Sequence, residues 1–103
     1  MSVIEDIAAE RQRQIEQEGW TAEHDDSHST GTLAVAGACY ALVGVSHISG
    51  EHETWRERYA HAAQALWPWD REWWKPKDAR RDLVRAAALI VAEIERLDRA
   101  AKP

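Results

Sequence analysis

The last quarter of the chain carries the pattern that most constrains the fold. Apolar residues recur there at alternating spacings of four and three, at Leu83, Ala87, Ile90, Ile94 and Leu97. This spacing places them on one face of an α-helix, which we predict over Lys77–Arg99. A second apolar stripe (Val84, Ala88 and Val91) runs beside the first. Two stripes predict either a homo-oligomer or a central helix that the others surround.

Three more helices are predicted upstream. Ser2 and Glu5 match a capping box, and Gly19 is a typical residue just after a helix end. Ser27, Ser29 and Thr30 offer N-caps for the next helix, whose small residues allow another backbone to approach closely. The predicted helices are Val3–Glu18, Gly31–His47 and Glu51–Leu66, separated by a loop over 19–29 and a turn over Ile48–Gly50. No alternating strand pattern occurs, so we expect an all-α, four-helix bundle-like single domain over residues 1–103.

Charge and cysteine content exclude several classes of protein. The net charge of −5 argues against general nucleic-acid binding. Cys39 is the single cysteine, so no intramolecular disulfide forms, and its apolar surroundings predict a small buried side chain in a reducing cytoplasm. The longest apolar run, around Leu33–Val45, is too short to span a bilayer, so no membrane association is expected.

The loop after the first helix collects groups that bind metals or transfer protons. His24, Asp25, Asp26 and His28 lie within five residues, and Glu10 precedes them on the first helix. Carboxylate and imidazole ligands suit Mg²⁺, Mn²⁺ or other divalent ions. We therefore predict a divalent-metal site at the four loop residues, or a catalytic role for Glu10 and the loop carboxylates and His28. In the alternative, an aspartate caps the next helix and the histidines are exposed.

Arg11 interrupts the apolar stripe of the first helix. A buried guanidinium needs a charged partner, and Asp25 or Asp26 is the natural candidate for a structural ion pair. In the alternative, Arg11 faces a cavity and binds a phosphate group.

A tryptophan-rich segment bracketed by Pro68 and Pro76 is the second candidate site. Indole faces stack on nucleobases, and guanidinium and ammonium groups at a helix start bind phosphate. We predict a nucleotide-binding corner here; in the alternative, the tryptophans are core residues and the basic residues balance nearby acids. The predicted ligand-binding residues, with Arg11, are Trp67, Trp69, Arg71, Trp73, Trp74, Lys75, Arg81 and Arg85.

Three runs, ERQRQIEQEGWTAEHDD, the WPWD…WWKP segment and RRDLVRAAALIVAEIERLDR, resemble a family of small all-α proteins of tailed phages and prophages. Nearly the whole chain is covered. A partial similarity to MazG-like nucleotide pyrophosphohydrolases rests on Glu95-x-x-Asp98, the second half of their Mg²⁺ motif. In the first half, Ala9 stands where that family has a carboxylate.

The resemblance implies an accessory protein of the bacterial host cytoplasm. We expect it to bind a phosphorylated, nucleotide-like small molecule and to sequester an immune signal of the host, as oligomeric phage sponges do. One alternative is a metal-dependent nucleotide hydrolase, a pyrophosphohydrolase or phosphodiesterase, that uses the His24–His28 loop with Mg²⁺ or Mn²⁺. Another is a protein-binding inhibitor of a host enzyme, for which exposed tryptophans would supply the contact.

Overall fold

A computed structural model describes residues 2–48 and 53–102, and every regular element in these ranges is helical. This confirms the all-α prediction. The predicted start of a helix at Glu51 and most of the turn over Ile48–Gly50 lie outside the described residues. The elements are α1 (Val3–Glu18), α2 (Ala22–Asp26), α3 (Thr32–Ser46), α4 (Glu53–Leu66), a 3-10 helix (Arg71–Trp73) and α5 (Ala79–Ala101).

Local capping explains where α1 and α5 begin and end. The Ser2 side chain accepts from the Glu5 backbone, the Glu5 side chain accepts in return, and α1 ends at Gly19 with φ of 73°. Both predictions are confirmed. Helix α5 begins two residues later than expected because the Asp78 side chain accepts from the backbone N–H of Arg81.

The segment between α1 and α3 differs from the prediction. It contains the short helix α2, whose N-cap Thr21 accepts from the backbone N–H of His24 at 3.3 Å. Helix α3 follows Gly31, which has φ of 83° and provides no side-chain cap. The predicted N-caps Ser27, Ser29 and Thr30 are therefore wrong. A left-handed glycine makes the turn into α3, so no side-chain cap is used.

The helices pack in the order α4, α3, α5 and α1, and α2 also rests on α5. Small residues of α3 permit its close contact with α5, as predicted. A Cβ atom at Gly37 would lie 3.1 Å from the carbonyl oxygen of Ala86, and one at Gly44 would lie 3.3 Å from that of Ala79. The central α3–α5 pair thus brings two backbones nearly into contact.

The core lies between α3, α5 and the tryptophan-rich segment. Leu33, Leu89 and Cys39 are fully buried, and burial raises the pKa of the Cys39 thiol above its ordinary value. The two apolar stripes of α5 separate only in part: Val84 and Ala88 are buried, whereas Val91 of the same stripe is exposed. Of the first stripe, Leu83, Ile90, Ile94 and Leu97 are exposed. No described helix is both long enough and apolar enough to cross a membrane.

Candidate ligand-binding site

A cavity of about 500 Å³ lies between the end of α1, helix α2 and the tryptophan-rich segment. Its walls are aromatic and imidazole rings with two carboxylates. The lining residues are Glu18, Trp20, His24, His28, Trp69, Asp70 and Trp73. Both stretches that the sequence singled out therefore meet at one cavity.

The backbone after α1 brings Trp20 and the two histidines to this cavity. The left-handed turn at Gly19 lets the backbone N–H of Trp20 donate to the Gln14 carbonyl at 3.0 Å. His24 lies in α2, and His28 follows two residues after the end of that helix, in a turn in which the His28 backbone N–H donates to the Asp25 carbonyl at 3.0 Å. This turn continues the direction of α2 and brings the two imidazole rings to a centroid distance of 4.7 Å.

Four rings of this wall form a closed cycle, which we call the four-ring cluster (Trp20, His24, His28 and Trp69). Successive ring centroids are 6.1 Å apart for Trp20–His24, 4.7 Å for His24–His28, 5.2 Å for His28–Trp69 and 5.4 Å for Trp69–Trp20. Trp20 and His24 are parallel, and the other pairs are tilted or edge-on, as aromatic pairs prefer. Mutual packing fixes these rings before any ligand arrives.

Asp25 lies behind the cluster, paired with Arg11. The Arg11 Nη2 atom is 2.6 Å from Asp25 Oδ2, and Nη1 donates to the Trp20 carbonyl at 3.1 Å. The Asp25 side chain is 0% exposed. The structural ion pair is therefore present, and Arg11 fastens α1 to α2 instead of lining the cavity.

Asp26 points to the surface, where its Oδ1 atom is 2.8 Å from Arg99 Nη2 on α5. Of the four loop residues predicted to bind a metal together, the structure brings the histidines to each other and the aspartates to two different arginines. Within residues 2–48 and 53–102, no cluster of three or more His, Cys, Asp or Glu side chains is arranged to hold an ion.

Glu10 lies away from the loop, on the α1 face that contacts α5. Its carboxylate is buried, 2.8 Å from Arg13 Nη2 and 2.6 Å from Arg81 Nη2, and it accepts from Gln14 Nε2 at 3.2 Å. Burial alone would raise the pKa of Glu10, but the Arg13 hydrogen bond and both arginine charges outweigh it, so the pKa is lowered. Glu10 and Arg81 therefore join α1 to α5 and do not line the cavity.

Of the remaining predicted cations, one lies beside the core and two lie nearer the surface. Arg85 donates to the Lys75 carbonyl and lies over the Tyr40 ring, 5.6 Å from its centroid, which places it beside the core. The Lys75 ammonium lies 5.6 Å from the ring centroid of Trp73, at the edge of the cavity. Arg71 is exposed in the 3-10 helix next to Asp70.

The predicted tryptophans divide between the core and the cavity. Trp67 and Trp74 pack on Tyr40 with centroid distances of 5.5 and 5.0 Å, as core residues. Trp69 and Trp73 line the cavity, and the Trp69 indole N–H is buried without a hydrogen-bond partner among the described residues. Sequence reasoning missed Trp20, whose position directly after the helix-ending Gly19 was the available signal.

The protonation of His28 follows from its surroundings. Burial lowers the pKa of His28, the neighbouring His24 lowers it further, and the charge of Asp25 opposes both effects only in part. The lowered pKa favours the neutral form of the His28 ring, which has one nitrogen that donates and one that accepts a hydrogen bond.

Comparison with protein-family models, with curated proteins and with solved structures gives no match.

Proposed function

We propose that this protein binds a small, ring-bearing, phosphorylated molecule of the nucleotide type in the cavity beside the four-ring cluster. The observation that carries the proposal is the convergence of Trp20, Trp69 and Trp73 around one cavity of about 500 Å³. Cavities of roughly 300–1,000 Å³ with mainly aromatic walls and a few polar groups are typical ligand sites.

The base of a nucleotide has chemically matched groups in the cavity lining, and the cations that would meet its phosphates lie outside that lining. An indole face can stack on any of the nucleobases. The carboxylates of Glu18 and Asp70 line the same walls and accept hydrogen bonds from base amino or imino groups. Glu18 is fixed by Arg13 Nη2 at 3.0 Å. Lys75, 5.6 Å from the Trp73 ring centroid, and Arg71, next to Asp70 in the chain, would meet the phosphates.

We further propose a biological role, which rests on the resemblance of the sequence to phage proteins. A phage accessory protein that holds a nucleotide signal keeps that signal from host immune effectors, and binding alone suffices for this anti-defence role. Hydrolysis is the second candidate, because His24 and His28 lie at the same cavity and could activate water or hold a metal ion. The concave placement of Trp20, Trp69 and Trp73 supports a small ligand, although the cavity lining contains carboxylates and, among the described residues, no lysine or arginine.

Binding and hydrolysis are separated by one experiment. The protein is incubated with a panel of linear and cyclic nucleotides, with and without Mg²⁺ and Mn²⁺, and free ligand is followed by chromatography before and after heat denaturation. We expect one class of nucleotide to disappear and to return intact on heating. New products that form only with metal would support hydrolysis instead. Failure of every nucleotide to bind would overturn the proposal.

We expect Trp73→Ala to weaken nucleotide binding about 5- to 150-fold, since a stacked base contributes roughly 1–3 kcal/mol. Trp73 lines the cavity and is 39% exposed, so its removal should leave the fold intact. The matched control is Trp55→Ala, which removes an exposed α4 tryptophan that does not line the cavity. Equilibrium dialysis measures the nucleotide affinity of each variant. Equal losses of affinity in the two variants would contradict the assignment of this cavity as the nucleotide site.

We also propose that the exposed stripe of α5 pairs with a second copy of the chain. Its 4-3-4-3 spacing continues through Ile90, Ile94 and Leu97, which is the pattern by which helices pair with one another. Ile94→Glu should convert a dimer to a monomer in sedimentation equilibrium. The control Ile4→Glu alters an exposed apolar residue of α1 outside the stripe and should leave the dimer unchanged. A monomeric wild type would refute this pairing.

A further inference from the structure

Two imidazole nitrogens face each other at the wall of the cavity. His24 Nε2 and His28 Nε2 are 3.4 Å apart. Zinc binds histidine nitrogens at about 2.0–2.1 Å with tetrahedral angles, which places two such nitrogens about 3.3–3.4 Å from each other. The observed separation matches that of two histidine ligands of a single tetrahedral ion, and it is also within hydrogen-bonding distance for the two rings in the absence of an ion.

The group behind His24 prepares it as a metal ligand. The Nδ1 atom of His24 is 3.3 Å from Asp25 Oδ1, and Arg11 holds the other oxygen of this carboxylate at 2.6 Å. An ionised carboxylate only accepts hydrogen bonds, so the ring proton belongs on Nδ1 and the lone pair on Nε2 faces His28. A carboxylate that orients a ligating imidazole in this way is a recurrent feature of metal sites.

We infer that His24 and His28 together bind one transition-metal ion of the Zn²⁺ type, with Asp25 orienting His24. Imidazole pairs prefer such ions to Mg²⁺, which takes oxygen ligands. Only these two protein ligands are arranged for the ion among the described residues, so its other coordination positions open on the cavity and accept water or a bound anion. The carboxylates of Glu18 and Asp70, on the same walls, add a negative field that attracts the cation. This inference does not rest on nucleotide binding.

The metal alone is the probe for this site. Isothermal titration with Zn²⁺ at pH 7 should give one ion per chain, and titration with Co²⁺ should give the visible absorption of a tetrahedral complex. Bound Co²⁺ should also quench tryptophan fluorescence, because Trp20 stacks on His24 and Trp69 lies 5.2 Å from His28 by ring centroid.

Four variants decide the assignment. His24→Gln and His28→Gln should each weaken Zn²⁺ binding at least tenfold, and Asp25→Asn should weaken it about 10- to 100-fold through loss of the orienting carboxylate. His61→Gln, an exposed α4 histidine that does not line the cavity, should bind as wild type does. Circular dichroism shows whether each variant is folded, and the two histidine variants keep the inference testable if Asp25→Asn unfolds.

A wild type that binds no Zn²⁺, or histidine variants that bind it unchanged, would overturn the inference. A wild-type protein that binds Zn²⁺ but no nucleotide would refute the proposed function and leave this inference standing.

Discussion

Replacing Arg11 with methionine is expected to lower the free energy of unfolding by about 3–5 kcal/mol, the usual cost of breaking a buried ion pair from one side. Asp25, its partner at 2.6 Å, is 0% exposed and would keep a buried charge whose remaining side-chain partner is His24 Nδ1 at 3.3 Å. The Trp20 carbonyl would lose its guanidinium donor as well. Methionine preserves much of the side-chain volume, so the loss reports on charge and hydrogen bonding. Urea unfolding followed by circular dichroism measures it.

The matched control for Arg11→Met is Arg99→Met. Arg99 pairs with Asp26 at 2.8 Å, but the Asp26 side chain is half-exposed, and surface ion pairs contribute at most about 1 kcal/mol. Both arginines connect the same short helix to a long one, so burial is the main difference between them. A similar small loss in the two variants would mean that the Arg11–Asp25 pair does not hold α2 in place.

Leu89→Ala is expected to lower the free energy of unfolding by about 2–5 kcal/mol, because it removes buried methyl groups and leaves a cavity. Leu89 is fully buried on α5, and a Cβ atom placed on Gly37 of α3 would lie 3.4 Å from its Cβ. Two backbones already so close together cannot easily collapse further into the space. The cost should therefore lie in the upper part of this range.

Leu66→Ala is the comparison for Leu89→Ala, since it removes the same atoms from an α4 residue that is 56% exposed. Surface changes of this kind usually stay within about 0.5 kcal/mol. The change in the free energy of unfolding of each variant is measured from the shift of its urea unfolding midpoint, provided that the dependence of this free energy on urea concentration is unchanged. An equally small effect at Leu89 would show that the α3–α5 contact is not the stabilising centre of the fold.

Most of the features that the sequence predicted correctly are determined by neighbouring residues, and the Arg11–Asp25 ion pair is an exception. The capping box at Ser2 and the helix end at Gly19 depend on contacts within a few positions, and both were correct. The small residues of α3 also predicted a close helix contact, although not which helix would make it. Helix α2 was missed because its five residues are too few to show a period, and a tertiary ion pair to Arg11 helps to hold it.

The site was predictable as two stretches but not as one cavity. Residue types alone do not distinguish Trp69, at the cavity, from Trp67, two positions earlier and in the core. The ion-pair partners of the arginines were also not predictable from the sequence. Arg81 lies near the tryptophan-rich segment in sequence, yet it pairs with Glu10 across the α1–α5 interface. Such assignments depend on which helices are neighbours, and that information is not local.

The buried side chains of α1 are Glu10 and Gln14, and this helix therefore docks on α5 largely through charges and amides. Such a contact contributes little to the heat-capacity change of unfolding, which follows apolar burial. Because the pKa of Glu10 is lowered in the folded chain, its contribution to stability is complete above the unfolded value near 4.5 and is lost as pH falls through the folded value. We therefore expect acid to weaken the polar α1–α5 contact more than the apolar α3–α5 contact.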